Sequence, residues 1–358
     1  MRLLALVLAA QAGVGPPPAP VKLWDVAWQR RLVAPTLLEW KPRELGGPAV
    51  DPITGTVIVG TRDGMLRAYA EGGDLLWDFK TNGRFDAAPR VEGELVYAGC
   101  SDGRLYAIEL GSGKLRWKYD AQEEVSTTPA YGAGLVLAMT LQDTLVAVDA
   151  KTGAWKWHHR RESREGFTIR GAAAVTIAGD VALGGYSDGT VAALDLLTGT
   201  VRWERRVAPS ADFMDVDATP RVDSGRVYVA AYSGAVLALD LASGKELWQF
   251  KTPAPLRLAL RRGVLVVVTN TQVVGLAAAD GTARWTLPLD GAPTGEPALL
   301  GGRAAVPNGK GLLFIDVDRG RLLRVFDPGT GVSAPPAGRA ARVYVLSNGG
   351  DLFALDLA

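Results

Sequence analysis

Few residues of this chain could do covalent or metal chemistry. His158 and His159 are its only histidines, and Cys100 is its only cysteine. A histidine-based triad or metal centre therefore has little support, and no disulfide within the chain or multi-cysteine metal site can form. Both histidines lie in a mixed-charge run over 158–165, which we predict to be a solvated loop. Cys100 ends an alternating apolar strand, and we expect it to pack as a small apolar residue.

Two other segments combine apolar and charged side chains as protein-binding surfaces do. The first contains Phe167, Ile169 and Arg170 between glycines. The second contains Asp215 and Asp217 beside an aromatic residue and a methionine. Apolar anchors next to arginine and aspartate are typical of binding hot spots. In the alternative interpretation Phe167 and Ile169 fill the core, and Arg170 pairs internally with Asp215 or Asp217. The sequence leaves both interpretations open.

An internal repeat predicts the elements that position these segments. Each copy is a short apolar strand, an acidic residue, a glycine and then tryptophan, as in the stretch 106–109 followed by Gly113 and Trp117. The copies recur at intervals of 37 to 49 residues, which is close to the period of propeller blades. The marker positions are Trp28, Trp77, Trp117, Trp157, Trp203, Trp248, Trp285 and Arg324, the last of which stands in the tryptophan place.

Eight markers predict an all-β, eight-bladed β-propeller with four antiparallel strands in each blade. A strand led by proline opens most copies, Asp-Gly pairs supply hairpin turns, and the tryptophan strand is outermost. We expect each acidic residue to cap its turn and each tryptophan to pack between neighbouring blades. The last copy stops near residue 356 without an outer strand. We predict that the strand around Trp28 completes this blade and closes the ring.

The spacing between blades is not uniform. From the marker to the residue that opens the next blade, regular copies leave 12 residues, as from Trp117 to Pro129. The spacing rises to 18 after Trp157, to 17 after Trp203 and to 20 after Trp28. Insertions in repeat proteins map to loops on one face, often the binding face. Two adjacent blades therefore project enlarged connections side by side, and these connections hold the two hot-spot segments.

The beginning of the sequence has the pattern of an export signal. A positive start is followed by an apolar run over 3–10 and a small-residue site at Ala10-Gln11-Ala12. We predict a signal peptide over 1–12, a Gly/Pro linker over 13–20 and one propeller domain over 21–358. No later run is long and apolar enough to span a membrane.

The charge balance narrows the range of partners. Lysine and arginine number 39 and aspartate and glutamate 38, which gives a net charge of +1. Binders of nucleic acid or of anionic membranes need a basic face, so this total argues against both.

The repeat phrase and two further stretches carry a family resemblance. The phrase resembles that of the quinoprotein-type (PQQ-repeat) propellers over residues 22–358. Within them the chain is most similar to the BamB family, the propeller subunits of the outer-membrane β-barrel assembly machinery. The narrower likeness lies in Asp215–Pro220, in the stretch 232–244 and in the segment 167–171.

This resemblance implies a non-catalytic, periplasmic scaffold without a cofactor or metal. It implies that Phe167, Ile169, Arg170, Asp215 and Asp217 bind the periplasmic POTRA region of BamA, and that unfolded outer-membrane proteins are further partners. BamB proteins usually carry a lipid-modified cysteine at the mature N-terminus, and the single cysteine here lies elsewhere. We therefore expect association with the outer membrane through partners.

Two alternative functions remain open on the sequence. The first is a generic envelope scaffold that uses the same ring for another partner. The second is a PQQ-dependent dehydrogenase, although those enzymes are usually much longer and carry a vicinal cysteine pair that one cysteine cannot form. The sequence also lacks the Cys-x-x-Cys-His haem motif. A calcium site of dispersed oxygen ligands has no local spacing by which to test it.

Overall fold

The structure, a computed structural model, describes residues 23–34, 43–161, 173–208, 215–232 and 234–358. In those ranges it contains 32 β-strands and no helix. The strands form eight four-stranded antiparallel sheets, which confirms the predicted number of blades. The inner strands of neighbouring blades contact each other around the ring, and the first blade along the chain contacts the last one.

The first four blades follow the chain from the inner to the outer strand. They are β2 (Pro48–Val50), β3 (Val57–Gly60), β4 (Met65–Tyr69) and β5 (Leu75–Lys80); β6 (Arg90–Glu92), β7 (Leu95–Gly99), β8 (Arg104–Glu109) and β9 (Leu115–Asp120); β10 (Ala130–Gly132), β11 (Leu135–Met139), β12 (Thr144–Asp149) and β13 (Trp155–Arg160); β14 (Thr176–Ala178), β15 (Val181–Gly185), β16 (Thr190–Asp195) and β17 (Val201–Arg206).

Blades 5 to 7 repeat this order, and blade 8 takes its outer strand from the other end of the chain. They are β18 (Arg221–Asp223), β19 (Arg226–Ala231), β20 (Ala235–Asp240) and β21 (Glu246–Lys251); β22 (Pro255–Arg261), β23 (Val264–Thr269), β24 (Gln272–Ala277) and β25 (Ala283–Pro288); β26 (Ala298–Leu300), β27 (Arg303–Asn308), β28 (Gly311–Asp316) and β29 (Arg321–Phe326); β30 (Ala337–Arg339), β31 (Arg342–Leu346), β32 (Asp351–Leu357) and β1 (Trp24–Arg31).

The ring closes as the sequence predicted. Strand β1 pairs with β32 antiparallel, with Trp24 opposite Leu357 and Arg31 opposite Asp351. This pairing covers the edge that β32 would otherwise expose to another chain.

The antiparallel order gives the propeller two distinct faces. The lower face, as we call it, carries the turns between the first and second strands of every blade and between the third and fourth strands of blades 1 to 7. The upper face carries the turns between the second and third strands and the connections from one blade to the next. Both enlarged connections predicted after β13 and β17 therefore belong to the upper face.

Tryptophan and glycine lock each blade to its neighbour. Trp157 of blade 3 donates its indole N–H to the Leu196 carbonyl of blade 4 at 3.1 Å, and its ring lies against Gly199. Gly199 has φ +71°, and a Cβ there would lie 2.6 Å from the ring. Only glycine fits both this backbone and this contact. The contact recurs in the pairs Trp28–Gly73, Trp77–Gly113, Trp117–Gly153, Trp157–Gly199, Trp203–Gly244, Trp248–Gly281 and Trp285–Gly320.

The repeated acidic residues are turn caps, as predicted. The Asp195 carboxylate accepts hydrogen bonds from the backbone N–H of Leu197 at 3.1 Å and of Thr198 at 3.0 Å. Hydrogen bonding to Arg202 and to Thr198 lowers the pKa of Asp195 to about 2. A carboxylate used in this way stabilises a turn and is not poised for proton transfer at neutral pH.

Arg324 replaces tryptophan at the one interface that lacks a turn glycine. Blade 8 has no turn between its third and fourth strands, because β32 and β1 come from opposite ends of the chain. No turn is therefore available there for a tryptophan ring to pack on. Trp24 fills this interface from the other side, with its ring centroid 5.4 Å from that of Phe314 and 5.9 Å from that of Phe326.

Two predictions about the chemically active residues have different outcomes. Cys100 is fully buried in the apolar core between blades 1 and 2, as expected, and burial raises the pKa of its thiol. The prediction of a solvated loop was wrong for the histidines. His158 and His159 belong to strand β13, because the outer strand continues through Arg160 as it does in the other blades.

Candidate functional site

Of the residues predicted to bind a partner, the structure describes only two, and both lie on the upper face between blades 4 and 5. Phe167, Ile169 and Arg170 fall outside the described residues. Asp215 and Asp217 are described and come directly before β18, at the end of the connection from blade 4 to blade 5. The site is therefore built from the described ends of both enlarged connections and from the turns beneath them.

Backbone hydrogen bonds hold the second connection between two blades. The Val216 N–H donates to the Tyr186 carbonyl of blade 4 at 3.2 Å. The Asp215 carbonyl accepts from the Tyr232 N–H of blade 5 at 3.3 Å. Asp215 is 1% exposed, so its side chain points into the protein. From Asp215 onwards the connection thus reaches β18 along a fixed path, and Asp217 is the more exposed of the two carboxylates.

A third carboxylate links blade 3 to blade 4. Asp143 lies in the turn between β11 and β12 and is 5% exposed. It accepts hydrogen bonds from the Ser187 N–H at 3.2 Å and from the Ser187 hydroxyl. Burial, with the fields of Asp188 and Asp215, raises the pKa of Asp143. This aspartate therefore ties the second-to-third-strand turns of blades 3 and 4 together under the first enlarged connection.

The carboxylates at this position influence one another. Burial raises the pKa of Asp217 to about 7, and the negative charges of Asp215 and Asp143 act in the same direction, while Arg257 opposes them. A carboxyl group with this pKa changes its charge near neutral pH. In its ionised form Asp217 can accept a charge-assisted hydrogen bond from a cationic group, and such a contact favours that ionised form.

Arg161 anchors the start of the first enlarged connection to blade 4. Its guanidinium pairs with Asp188 at 2.9 Å and with Glu204 at 2.7 Å, and it lies 5.8 Å from the ring centroid of Tyr186. The side chain is half-buried, so these pairs are less screened by solvent than exposed ones. An open cleft of about 280 Å³ lies here, lined by Arg161, Asp188, Thr190, Glu204 and Arg206.

His159 extends this polar group into the interface between the blades. Its Nδ1 lies 2.8 Å from the Tyr186 hydroxyl and its Nε2 lies 3.5 Å from a Glu204 carboxylate oxygen. Burial lowers the pKa of His159. Burial likewise raises the pKa of Tyr186, which is 1% exposed. The neutral imidazole and phenol therefore act as a hydrogen-bonded pair that supports the cleft.

This polar cluster was not predicted from the sequence. Asp188 belongs to a Ser-Asp-Gly turn of the kind that recurs in the repeat, and His159 was placed in a loop. Alignment of the repeats does contain one indication of the polar cluster. Position 159 stands two residues beyond the marker, where Phe79, Tyr119 and Phe250 stand in other blades. A polar residue at an aromatic position of the repeat indicates a local polar network.

The site has the chemistry of a recognition surface. Among the described residues, no three histidine, cysteine, aspartate or glutamate side chains converge well enough to hold a metal ion. None of the described segments forms a helix with the length and apolarity that crossing a membrane requires. What the upper face offers is a rigid, charged platform at the base of two adjacent connections.

The tryptophan–glycine locks, the capped acidic turns and the closure by β1 define an eight-bladed propeller of the PQQ-repeat class. A modified upper face on two adjacent blades marks a particular member of this class. The chain belongs to the family described as outer membrane protein assembly factor BamB, whose model matches residues 21–113, 62–272 and 234–358.

Individual relatives agree with this family. The outer membrane protein assembly factor BamB of Moranella endobia is 27% identical over 320 residues, which cover 84% of this chain and 82% of the relative. The crystal structure of BamB from Moraxella catarrhalis superposes with a TM-score of 0.79 at 20% identity, over 93% of this chain and all of that one. A europium-containing methanol dehydrogenase superposes with a TM-score of 0.75 at 13% identity, over 93% of each chain. Likeness at such identities shows the fold alone.

Proposed function

We propose that this protein is a non-catalytic periplasmic scaffold of outer-membrane assembly. It binds the POTRA region of a BamA-like barrel assembly protein and assists the insertion of outer-membrane β-barrel proteins. The predicted signal peptide over 1–12 exports it, and partners keep it at the outer membrane. One observation carries the proposal: in a chain of the BamB family, the upper faces of two adjacent blades combine enlarged connections with an inter-blade polar network.

The proposed binding residues have different roles. Phe167 and Ile169 supply apolar area that the partner desolvates, and Arg170 supplies a directional, charge-assisted hydrogen bond. Asp217 is the carboxylate that accepts a hydrogen bond from a cationic group of the partner. Asp215 is buried and pinned through its backbone, so its part is to position the connection that carries Asp217.

Rigidity explains why a propeller suits this task. Binding costs conformational entropy whenever a surface must be ordered on contact. Hydrogen bonds to two blades fix the end of the second connection at residues 215–216, and Arg161 holds the start of the first connection on blade 4. The described ends of the two connections therefore keep a constant mutual position, and we expect less of the interaction free energy to be lost to ordering. Unfolded outer-membrane proteins are proposed as further ligands of the same scaffold.

The test is capture by purified POTRA domains of the barrel assembly protein. Wild type should bind at micromolar concentration, and Arg170→Glu should weaken binding about thirtyfold, as loss of a hot-spot charge does. The control is Arg116→Glu, which reverses an exposed arginine on the regular blade 2 and should bind as wild type does. Both variants should unfold at the temperature of wild type.

Two results would contradict the proposal. If wild type fails to bind POTRA domains, the generic envelope scaffold gains support. If Arg170→Glu lowers thermal stability strongly, Arg170 is part of an internal ion pair and not of the binding surface.

A further inference from the structure

Arginines without ion pairs collect on the lower face of blades 6 and 7. Arg261 ends β22, Arg262 begins the turn to β23, Arg284 is the second residue of β25, and Arg321 is the first residue of β29. Arg261, Arg262 and Arg321 form no ion pair with another described residue, and Arg284 interacts electrostatically with Asp280 in the preceding turn. The two blades touch here, since a Cβ on Gly302 would lie 2.9 Å from the Arg261 guanidinium.

Several arginines elsewhere on the lower face are neutralised by carboxylates. Arg202 of blade 4 pairs with two aspartates, each at 2.7 Å. Arg339 and Arg342 of blade 8 pair with Glu71 at 3.2 Å and Asp356 at 2.6 Å. The other lower-face cations for which no ion pair is found among the described residues are spread over blades 2, 3 and 5, and they are Lys114, Lys151, Arg226 and Lys245. The densest group of such cations is therefore the arginine sector of blades 6 and 7. The net charge of +1, from which the sequence analysis argued against anionic membranes, averages over all faces and does not record this sector.

Exposed apolar side chains gather on the same face. Ile53 in the turn between β2 and β3 is 79% exposed, Leu197 in the turn between β16 and β17 is 63% exposed, and Trp155 at the start of β13 is 55% exposed. The remaining large apolar side chains that are exposed near the lower ends of outer strands are Val26, Leu75, Leu76, Leu115, Val201, Leu247 and Leu322. They recur around the whole rim, so only a broad, flat surface can contact many of them together.

The chain also enters the propeller from the lower face. The Ala358 N–H donates to the Leu23 carbonyl at 2.9 Å, and the Leu357 N–H donates to the Ala341 carbonyl in the turn between β30 and β31. Strand β1 therefore begins at this face and runs towards the upper one. Contact on the lower face leaves the enlarged connections on the opposite side open.

We propose that the lower face docks peripherally on a bilayer containing anionic phospholipids. Arg261, Arg262 and Arg321 lie at the headgroup phosphates, and rim side chains such as Trp155 and Leu197 enter the interface between headgroups and acyl chains. Basic residues attract a surface rich in anionic lipid, and exposed aromatic and aliphatic groups add apolar burial at the same depth. An acidic protein would satisfy the arginines but not an apolar rim that extends around the ring.

The experiment is co-sedimentation of the full chain with phospholipid vesicles in about 0.1 M salt, where surface charge still acts over about 10 Å. One set is phosphatidylcholine alone, and the other contains about a third of phosphatidylglycerol. Wild type should partition to the anionic set. The double variant Arg262→Ala/Arg321→Ala should lower the partition coefficient about 25-fold, at about fivefold for each basic residue. Both side chains are exposed, so the variant should fold.

The matched control is Lys118→Ala/Lys251→Ala, which removes the same charge from exposed positions of β9 and β21 away from the arginine sector. It should partition as wild type does. An equal loss in the control, or no binding of wild type to anionic vesicles, would overturn the proposal. Binding of wild type to poly-glutamate but not to vesicles would also overturn it and would identify an acidic polypeptide as the ligand. Capture by POTRA domains should be the same for all these proteins, so the outcome is independent of the proposed function.

Discussion

The contact between Trp157 and Gly199 allows a sharp test of how the blades are held together. Gly199 and Gly179 both lie in lower-face turns of blade 4, with φ of +71° and +61°. A Cβ on Gly199 would lie 2.6 Å from the Trp157 ring, whereas one on Gly179 would meet nothing within 4 Å. Alanine at either position meets the same backbone penalty, but only at Gly199 does it also displace the neighbouring blade.

The expected losses follow from these two costs. An alanine in the left-handed region costs about 1 kcal/mol. Moving a buried aromatic ring away from an inserted methyl group costs about 1–3 kcal/mol more. Gly179→Ala should therefore lower the free energy of unfolding by about 1 kcal/mol, and Gly199→Ala by about 2–4 kcal/mol.

Urea denaturation followed by tryptophan fluorescence measures the difference. Relative to wild type, the urea concentration at the midpoint of unfolding should fall clearly further for Gly199→Ala than for Gly179→Ala. Equal losses would refute the reasoning, because they would mean that the ring can retreat at no cost and that the tryptophan does not lock blade 3 to blade 4.

Two further predictions concern the charge of Asp217 and the absence of quinone chemistry. The folded pKa of Asp217, about 7, lies above the unfolded value near 3.8. The folded chain therefore binds more protons between these pH values, and its stability falls as pH rises through them. Asp217→Asn should raise the free energy of unfolding by roughly 2–4 kcal/mol at pH 8 and by little at pH 4. The stability of the variant should still fall with pH to some extent, because burial also raises the pKa of Glu44 to about 7. Equal gains at both pH values in urea titrations would contradict this prediction. Addition of pyrroloquinoline quinone and Ca²⁺ should leave the absorption spectrum and the melting temperature unchanged, and a clear shift in either would favour the dehydrogenase alternative.

The architecture was predictable because every copy of the repeat contains the residues that form the turns and the contacts between blades. The marker tryptophans, the turn glycines and the acidic caps belong to one contact that is made seven times. Even the exception is explained by topology, since Arg324 replaces the marker at the interface where the chain ends leave no turn. Pairing of the strand around Trp28 with β32 followed from counting strands.

The side-chain environment of the site was not predictable in the same way. The repeat says where a connection is long, but not which of its carboxylates is buried. Asp215 is enclosed and Asp217 is less so because hydrogen bonds to Tyr186 and Tyr232 fix the backbone between them. Those partners lie in two different blades, so no local pattern around Asp215 contains them.

The residue type near the end of each outer strand correlates with the length of the connection that follows. Two residues beyond the marker, the blades with regular spacing carry apolar side chains, which are Phe79, Tyr119, Leu287 and Phe326. The three blades followed by long connections carry Arg30, His159 and Arg205 instead. A polar side chain cannot seal the end of an interface and needs partners there. Arg30 binds the Gly73 carbonyl at 2.8 Å, His159 meets Tyr186, and Arg205 pairs with Glu246 at 2.9 Å.

The long connections therefore follow strands whose ends are polar instead of apolar. At blades 3 and 4 the exchange opens the cleft beside Arg161 and Glu204, and the first enlarged connection starts at its rim. An apolar plug at position 159 would fill part of this space and remove a hydrogen bond to Tyr186, which is buried. A long insertion and a polar residue two places beyond the marker thus occur together, at interfaces between blades that end in polar contacts instead of apolar ones.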